Sequence, residues 1–209
     1  MRYQCVIWDW NGTLADDLDA SLRATNDILA RHHKPPITLE QYYSYIDSPI
    51  SRFYEHLFDL NEVPMSQIGV EFQSFYPRYF EGLHPGAEEL LQALQRAGVK
   101  QVILSSSHRA NVERDVRRLG ILEYFDEILA QEDLLAESKE QIGRDWIAKQ
   151  SIPPERMVMV GDTLHDYDTA RAMGTDCILC AIGHQSEADL RTAGVPVVTA
   201  FHQLQNWLL

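Results

Sequence analysis

Positive charge is scarce in this chain of 209 residues: 18 Lys and Arg stand against 31 Asp and Glu, for a formal net charge of −13. That balance argues against a nucleic-acid-binding surface and against an anionic membrane. It leaves room for a small anionic substrate, because a metal ion and a few local donors reverse the potential inside one pocket. Long apolar runs are missing too. The uncharged stretch before Asp9, "QCVIW", is too short for a signal-peptide core, and no later segment is long enough to span a bilayer. A soluble cytoplasmic protein, monomeric or weakly dimeric, is the expectation. Cysteine is limited to three residues, which do not make a disulfide framework. Cys177 and Cys180 have C-x-x-C spacing, but "DCILCAIG" reads as a buried strand, where residues three apart point to opposite faces. They are expected to be small buried hydrophobes. Low-complexity tracts and internal repeats are absent.

What is present is ordinary globular material, 45% hydrophobic and 23% charged, enough for a core with a modest insertion. Short apolar runs rich in Val and Ile recur at 4–8, 101–105, 127–130, 157–160, 177–182 and 196–200. They do not alternate, as expected for parallel strands buried on both faces. Helical patterns separate them. "GAEELLQALQRAG" places Ala87, Leu90, Leu91, Leu94 and Ala97 on one face, with Gly98 as a stop. Segments 109–119 and 138–149 repeat the pattern with Val112, Val116 and Leu119, then Ile142 and Trp146. The alternation predicts an α/β fold with a doubly wound, Rossmann-like parallel sheet.

Residues 15–82 break the alternation. Leu18, Leu22, Thr25 and Leu29 share one helical face, Ile50, Phe53 and Leu57 another, and Ile68, Phe72, Phe75 and Tyr79 a third. "HHKPP" at 32–36 separates the first helix from the rest. The division expected is a core of 1–14 and 83–209 carrying an all-helical insert, 15–82, far longer than an ordinary βα loop. Leaving the sheet just after Asp9, the insert is expected over the carboxyl ends of the strands, where open α/β folds bind ligands.

Four groups with chemical potential fall at strand ends: "DWNGT" after the first strand, Ser105 at the end of the second, Lys139 after the third, and "GDTLHD" after the fourth. Each alone is compatible with a cap or turn. Parallel strands would bring all four to one sheet edge. Asp162 and Asp166, joined by Asp9, would form a carboxylate cluster that repels itself unless a cation intervenes. All-oxygen ligands select a hard ion such as Mg²⁺, which commonly bridges to phosphate.

In order and spacing, "DWNGTL", Ser105, Lys139 and "GDTLHD" resemble the four motifs of the haloacid dehalogenase-like superfamily. "HPGAEELLQALQRAGVKQVILSSS" resembles that family's approach to its second motif. The helical insert is similar in position to the small cap of the phosphoglycolate-phosphatase-like branch. The resemblance implies a Mg²⁺-dependent phosphatase of a small phosphorylated metabolite. Asp9 would be the nucleophile that forms an aspartyl phosphate. Mg²⁺ would bind Asp9, the backbone carbonyl of Asn11 and Asp162, with Asp166 close or through water. Ser105 and Lys139 would hold phosphoryl oxygens, Thr13 would brace the loop, and Ser106 would add a hydrogen bond. Arg52 is the candidate for the distal end of the substrate, since its planar fork suits carboxylate or phosphate. The tyrosines at 42, 43 and 45 are expected in the cap core, and "GHQS" at 183–186 at the pocket edge.

The sequence departs from the family pattern in two places. Lys139 lacks the proline that often follows it in relatives, with Lys149 as the fallback. Asn11 stands where most phosphatases of this family carry an aspartic acid that protonates the leaving oxygen and then activates water. An amide does neither. The replacement predicts slow hydrolysis, or a leaving group that needs little protonation, such as an acyl or aryl phosphate; His165 is a candidate substitute proton carrier. A phosphomutase or phosphotransferase is the nearest rival, and a ligand-binding relative with little turnover the non-enzymatic one. A dehalogenase would not need the intact acidic loop at 161–166.

Overall fold

The computed structural model describes residues 2–132 and 138–209. Six strands form one parallel sheet: β1 (Cys5–Trp8), β2 (Lys100–His108), β3 (Glu127–Gln131), β4 (Met157–Gly161), β5 (Asp176–Cys180) and β6 (Val197–Val198), in the order β3-β2-β1-β4-β5-β6. This is the doubly wound order. Chain direction across the sheet reverses at β1 and β4, so the switch point lies at their carboxyl ends. β1 and β4 are buried along their whole length, as their unbroken apolar runs require. The core cluster joins Cys5, Ile7, Val102, Leu104, Met157, Met159, Cys177 and Leu179 to Trp146, Ala170, Met173 and Leu190. All three cysteines are unpaired and buried, and burial lifts the thiols of Cys5 and Cys177 above their ordinary range.

Contact density divides the chain into two compact units, residues 1–15 with 82–209, and residues 16–81. In the first, α5 (Ala87–Arg96), α6 (Arg109–Arg118), α7 (Lys139–Ile147) and α8 (Leu164–Met173) alternate with the strands. Ala87, Leu90, Leu91 and Leu94 are buried as the periodicity predicts; Ala97 is exposed because the helix has already ended. β3 differs from expectation: it lies at the sheet edge, and its burial alternates along the strand. β6 pairs over only two residues, Leu179 with Val197 and Cys180 with Val198.

The second unit contains α1 (Leu18–Arg31), α2 (Leu39–Tyr45), α3 (Ser51–Glu55) and α4 (Met65–Phe75), and no strand among its residues. The buried face of α1 is Ala20, Ser21, Ala24, Thr25, Ile28 and Leu29, with Leu18 and Leu22 only half-buried. The inner face is therefore rotated from the leucine stripe towards small residues, which permit close approach of α4. Tyr42 is buried against Phe53 at a ring separation of 5.1 Å, while Tyr45 stacks on His56 at 4.6 Å.

Candidate active site

β1 ends in a turn built on one carbonyl: the amides of Thr13, Leu14 and Ala15 all donate to Trp10 O, at 3.4, 3.1 and 2.9 Å. Gly12 takes φ +73°, and a Cβ there would collide with the Asp162 carboxylate and the His184 ring. Only glycine meets both requirements without strain. Asp9 N–H donates to Val160 O at 2.9 Å, so the ladder to β4 continues to the catalytic candidate and sets it beside the loop that follows β4.

That loop is tied inward at every carboxylate. Thr13 Oγ1 donates to Asp162 Oδ1 at 3.0 Å, and His184 N–H donates to Asp162 Oδ2 at 2.6 Å. Asp166 Oδ2 accepts from Asp162 N, Thr163 N and Thr163 Oγ1 at 3.2, 3.0 and 2.8 Å. Asp166 is thus the third residue of a capping box that opens α8, as well as a member of the acidic cluster. Gly161 and Gly183 complete the loop, because a Cβ on either would strike Asp166 or Asp162.

Lys139, the first residue of α7, is buried, and its Nζ donates both to Asp9 Oδ1 and to Asp166 Oδ1, the latter at 2.6 Å. Lys149 is exposed at the far end of the same segment. One oxygen each of Asp9, Asp162 and Asp166 lies within 4.8 Å of the others. Three carboxylates against one ammonium leave an excess of negative charge in a buried space. Burial, with the charges of Asp166 and Asp162, lifts the Asp9 carboxyl to about 8 despite the pull of Lys139. Burial likewise lifts Asp162 to about 6. Burial would raise Asp166 as well, but the Lys139 ammonium and the hydrogen bonds from Lys139 and Thr163 hold it below the usual range. Lys139 stays charged: Asp166 and Asp9 outweigh its own desolvation.

On the other side of Asp9, Ser105 is buried near the end of β2. Beyond it the pairing with β3 slips, from Ser105 opposite Ala130 to His108 opposite Gln131. The irregularity leaves Ser106 exposed and turns Ser107 inward, where its Oγ donates to Asn11 Oδ1 at 2.6 Å. Ser107 is the serine of this run that reaches Asn11, since a bulge changes which side chain faces inward. Asp9, Thr13, Lys139, Asp162 and Asp166 come together as one network. His84, the first residue of the "HPGAEELL" run, was not among the predicted site residues, yet its Nε2 lies 3.2 Å from Gly12 O. Gly183 and His184 belong to the "GHQS" stretch and hold the acidic loop directly. Burial depresses the proton affinity of His165. Arg52 belongs to the helical unit, where its Nη1 lies 3.2 Å from Asp47 Oδ2.

A doubly wound sheet with an aspartate after β1, a serine at the end of β2, a lysine opening the helix before β4 and an acidic loop after it defines a class of hydrolase. Residues 6–180 match the haloacid dehalogenase-like hydrolase family, and the chain belongs to it. It is 26% identical over 197 residues to phosphoglycolate phosphatase of Nitrosospira multiformis, covering 90% of this chain and 87% of that protein. It is 28% identical over 200 residues to the tyrosine-protein kinase PtkA of Mycobacterium tuberculosis, covering 94% and 68%. The structure of a CbbY mutant from Rhodobacter sphaeroides in complex with xylulose-(1,5)bisphosphate superposes with a TM-score of 0.77 at 26% identity, over 97% of this chain and 96% of that one.

Proposed function

We propose that this enzyme is a Mg²⁺-dependent phosphatase of small phosphorylated metabolites that works through an aspartyl phosphate on Asp9. The observation that carries this reading is the buried Lys139 ammonium between Asp9 and Asp166, with Asp162 alongside, at the switch point of the sheet. The similarity to a named phosphoglycolate phosphatase and to a bisphosphate complex supports the substrate class.

The donor set fits a hard divalent ion: every candidate ligand is oxygen, and the cluster has negative charge to spare. Asp9, Asp162 and the Asn11 carbonyl would be direct ligands. Asp166 already accepts four hydrogen bonds and would act through water. When bound, Mg²⁺ screens the repulsion between carboxylate and phosphate and draws charge from the transferring group. Asp9 attacks phosphorus; its oxygen–phosphorus bond forms as the bond to the leaving oxygen breaks, and that oxygen keeps the electron pair. Ser105 and Lys139 hold the phosphoryl oxygens, and Thr13 braces the loop through Asp162. Water then cleaves the aspartyl phosphate, releasing inorganic phosphate and restoring Asp9. Asn11 supplies no proton to either step, a deficit typically of about 10²–10⁴-fold. Ser106 would add a hydrogen bond to the substrate, and the helical unit, inserted just after the Asp9 loop, would carry specificity through Arg52.

A second reading, transfer of the phosphoryl group to an acceptor other than water, draws on the same amide and on the similarity to a protein named as a kinase. A panel of phosphate esters with Mg²⁺ separates the cases. Asp9→Ala is expected to abolish turnover, and Asn11→Asp to raise it by about 10²-fold or more on alkyl phosphates. Equal activity of native protein and Asp9→Ala would sink the nucleophile. A stoichiometric phosphoenzyme burst with poor turnover would favour transfer.

A further inference from the structure

The serine after next in "SSS" has a part that no motif assigns to it. Ser107 donates two hydrogen bonds. Its backbone N–H donates to Ser105 Oγ at 3.1 Å, and its own hydroxyl donates to Asn11 Oδ1 at 2.6 Å. A hydroxyl that accepts one bond still has its single proton to donate. An amide whose oxygen is held on one side carries its N–H₂ on the other branch of the planar group. Ser107 therefore gives both of its neighbours the same polarity: each turns a donor away from Ser107.

We propose that Ser107 is a positioning residue that sets Ser105 and Asn11 as paired hydrogen-bond donors to the transferring phosphoryl group and its leaving oxygen. The proposal rests on the phosphatase reading above and deepens it. Asn11 then stabilises developing negative charge by hydrogen bonding, not by proton transfer. Such help suffices where the leaving oxygen departs as a stable anion and falls short where it leaves as an alkoxide. The substrate class that fits is a phosphate joined to an acidic hydroxyl: an acyl, enol or aryl phosphate. A carboxyl at position 11 would not need this arrangement, because its two oxygens are equivalent and neither has to be chosen.

The test is a cycle between Ser107→Ala and Asn11→Asp, with acetyl phosphate and p-nitrophenyl phosphate against a simple alkyl phosphate. In the native background Ser107→Ala is expected to lower kcat about tenfold on the acidic-leaving-group substrates, the loss of about one hydrogen bond to the transition state. Ser107→Thr, which keeps the hydroxyl, should restore the rate. In the Asn11→Asp background the same change should cost under about twofold. Equal losses in both backgrounds, or failure of the threonine to rescue, would mean a merely structural serine and overturn the proposal. Calorimetric binding of inorganic phosphate in the presence of Mg²⁺ gives an arm independent of turnover. Ser107→Ala should weaken it about tenfold and Ser107→Thr should not. If no ester is hydrolysed, the phosphatase reading fails while this arm still decides on the donors; unchanged phosphate affinity rejects them.

Discussion

In the α/β unit, Asp9, Lys139, Asp162 and Asp166 are buried together with more negative than positive charge. In the helical unit Glu71 on α4 is a buried acid too, and it stands among neighbours that suit it. Gln67 Nε2 donates to its Oε1 at 3.0 Å, His32 Nε2 lies 3.1 Å from its Oε2, and the Arg31 guanidinium is 3.9 Å away. Glu71 ties the last turn of α1 to α4, and a balanced buried group of this kind serves packing. The cluster at the sheet edge is different: its like charges oppose folding, and on the proposed function they would receive a cation and a substrate. The sign of the local imbalance, more than burial itself, separates a functional acid from a structural one.

The comparison is tested most severely at Gly12. Gly12→Ala meets both the positive φ and the Asp162 carboxylate, and is expected to cost about 1–3 kcal/mol of stability. Displacing the loop should lower turnover by at least about 10²-fold. Thermal melts and steady-state kinetics read both effects. An alanine enzyme with native turnover would mean that the loop tolerates movement.

Mg²⁺ comes next. At a hundred times its dissociation constant the ion should stabilise the protein by about 2.7 kcal/mol. Without it the Asp9 and Asp162 carboxyls sit at about 8 and about 6, so the ion competes with protons. Affinity should rise from pH 6 to pH 8, with proton release visible as a buffer-dependent heat in calorimetry; a pH-independent affinity would contradict the charge excess. Glu71→Ala should cost about 1–3 kcal/mol by leaving its partners unsatisfied, yet leave Mg²⁺ affinity unchanged. Arg52→Ala should shift stability by under about 0.5 kcal/mol, since its ion pair with Asp47 is exposed. A rise in KM of about tenfold would place its guanidinium on substrate, and an unchanged KM would leave it as a surface group.

Much of this was legible before any coordinates. Val and Ile runs marked all six strands within a few residues, because burial on both faces of a parallel sheet leaves a local signature. Asp9, Ser105 and Asp162 were legible for a related reason, each sitting where such a run stops, and Lys139 as the residue that opens the helix after the third run. β3 was misread as doubly buried, since an edge strand and a central one look alike over four residues. The stripe Leu18, Leu22, Thr25 and Leu29 pointed to the right helix and shares Thr25 and Leu29 with the buried face, but that face is rotated to include Ala20, Ser21, Ala24 and Ile28.

Ser107 and the acceptor atoms could not be read in the same way. The types and order of the reactive groups, the helical insert and the amide at position 11 are properties of the chain alone, fixed by residue identity and local hydrophobic period. Which oxygen receives which donor depended on the strand order that sets β1 between β2 and β4, and on a slip in register after Ser105. The first arises from pairing between segments about a hundred and more residues apart, and the second from pairing between neighbouring strands about 25 residues apart. Local pattern carries no record of such pairing, and so the contact between Ser107 and Asn11 belonged to the tertiary structure.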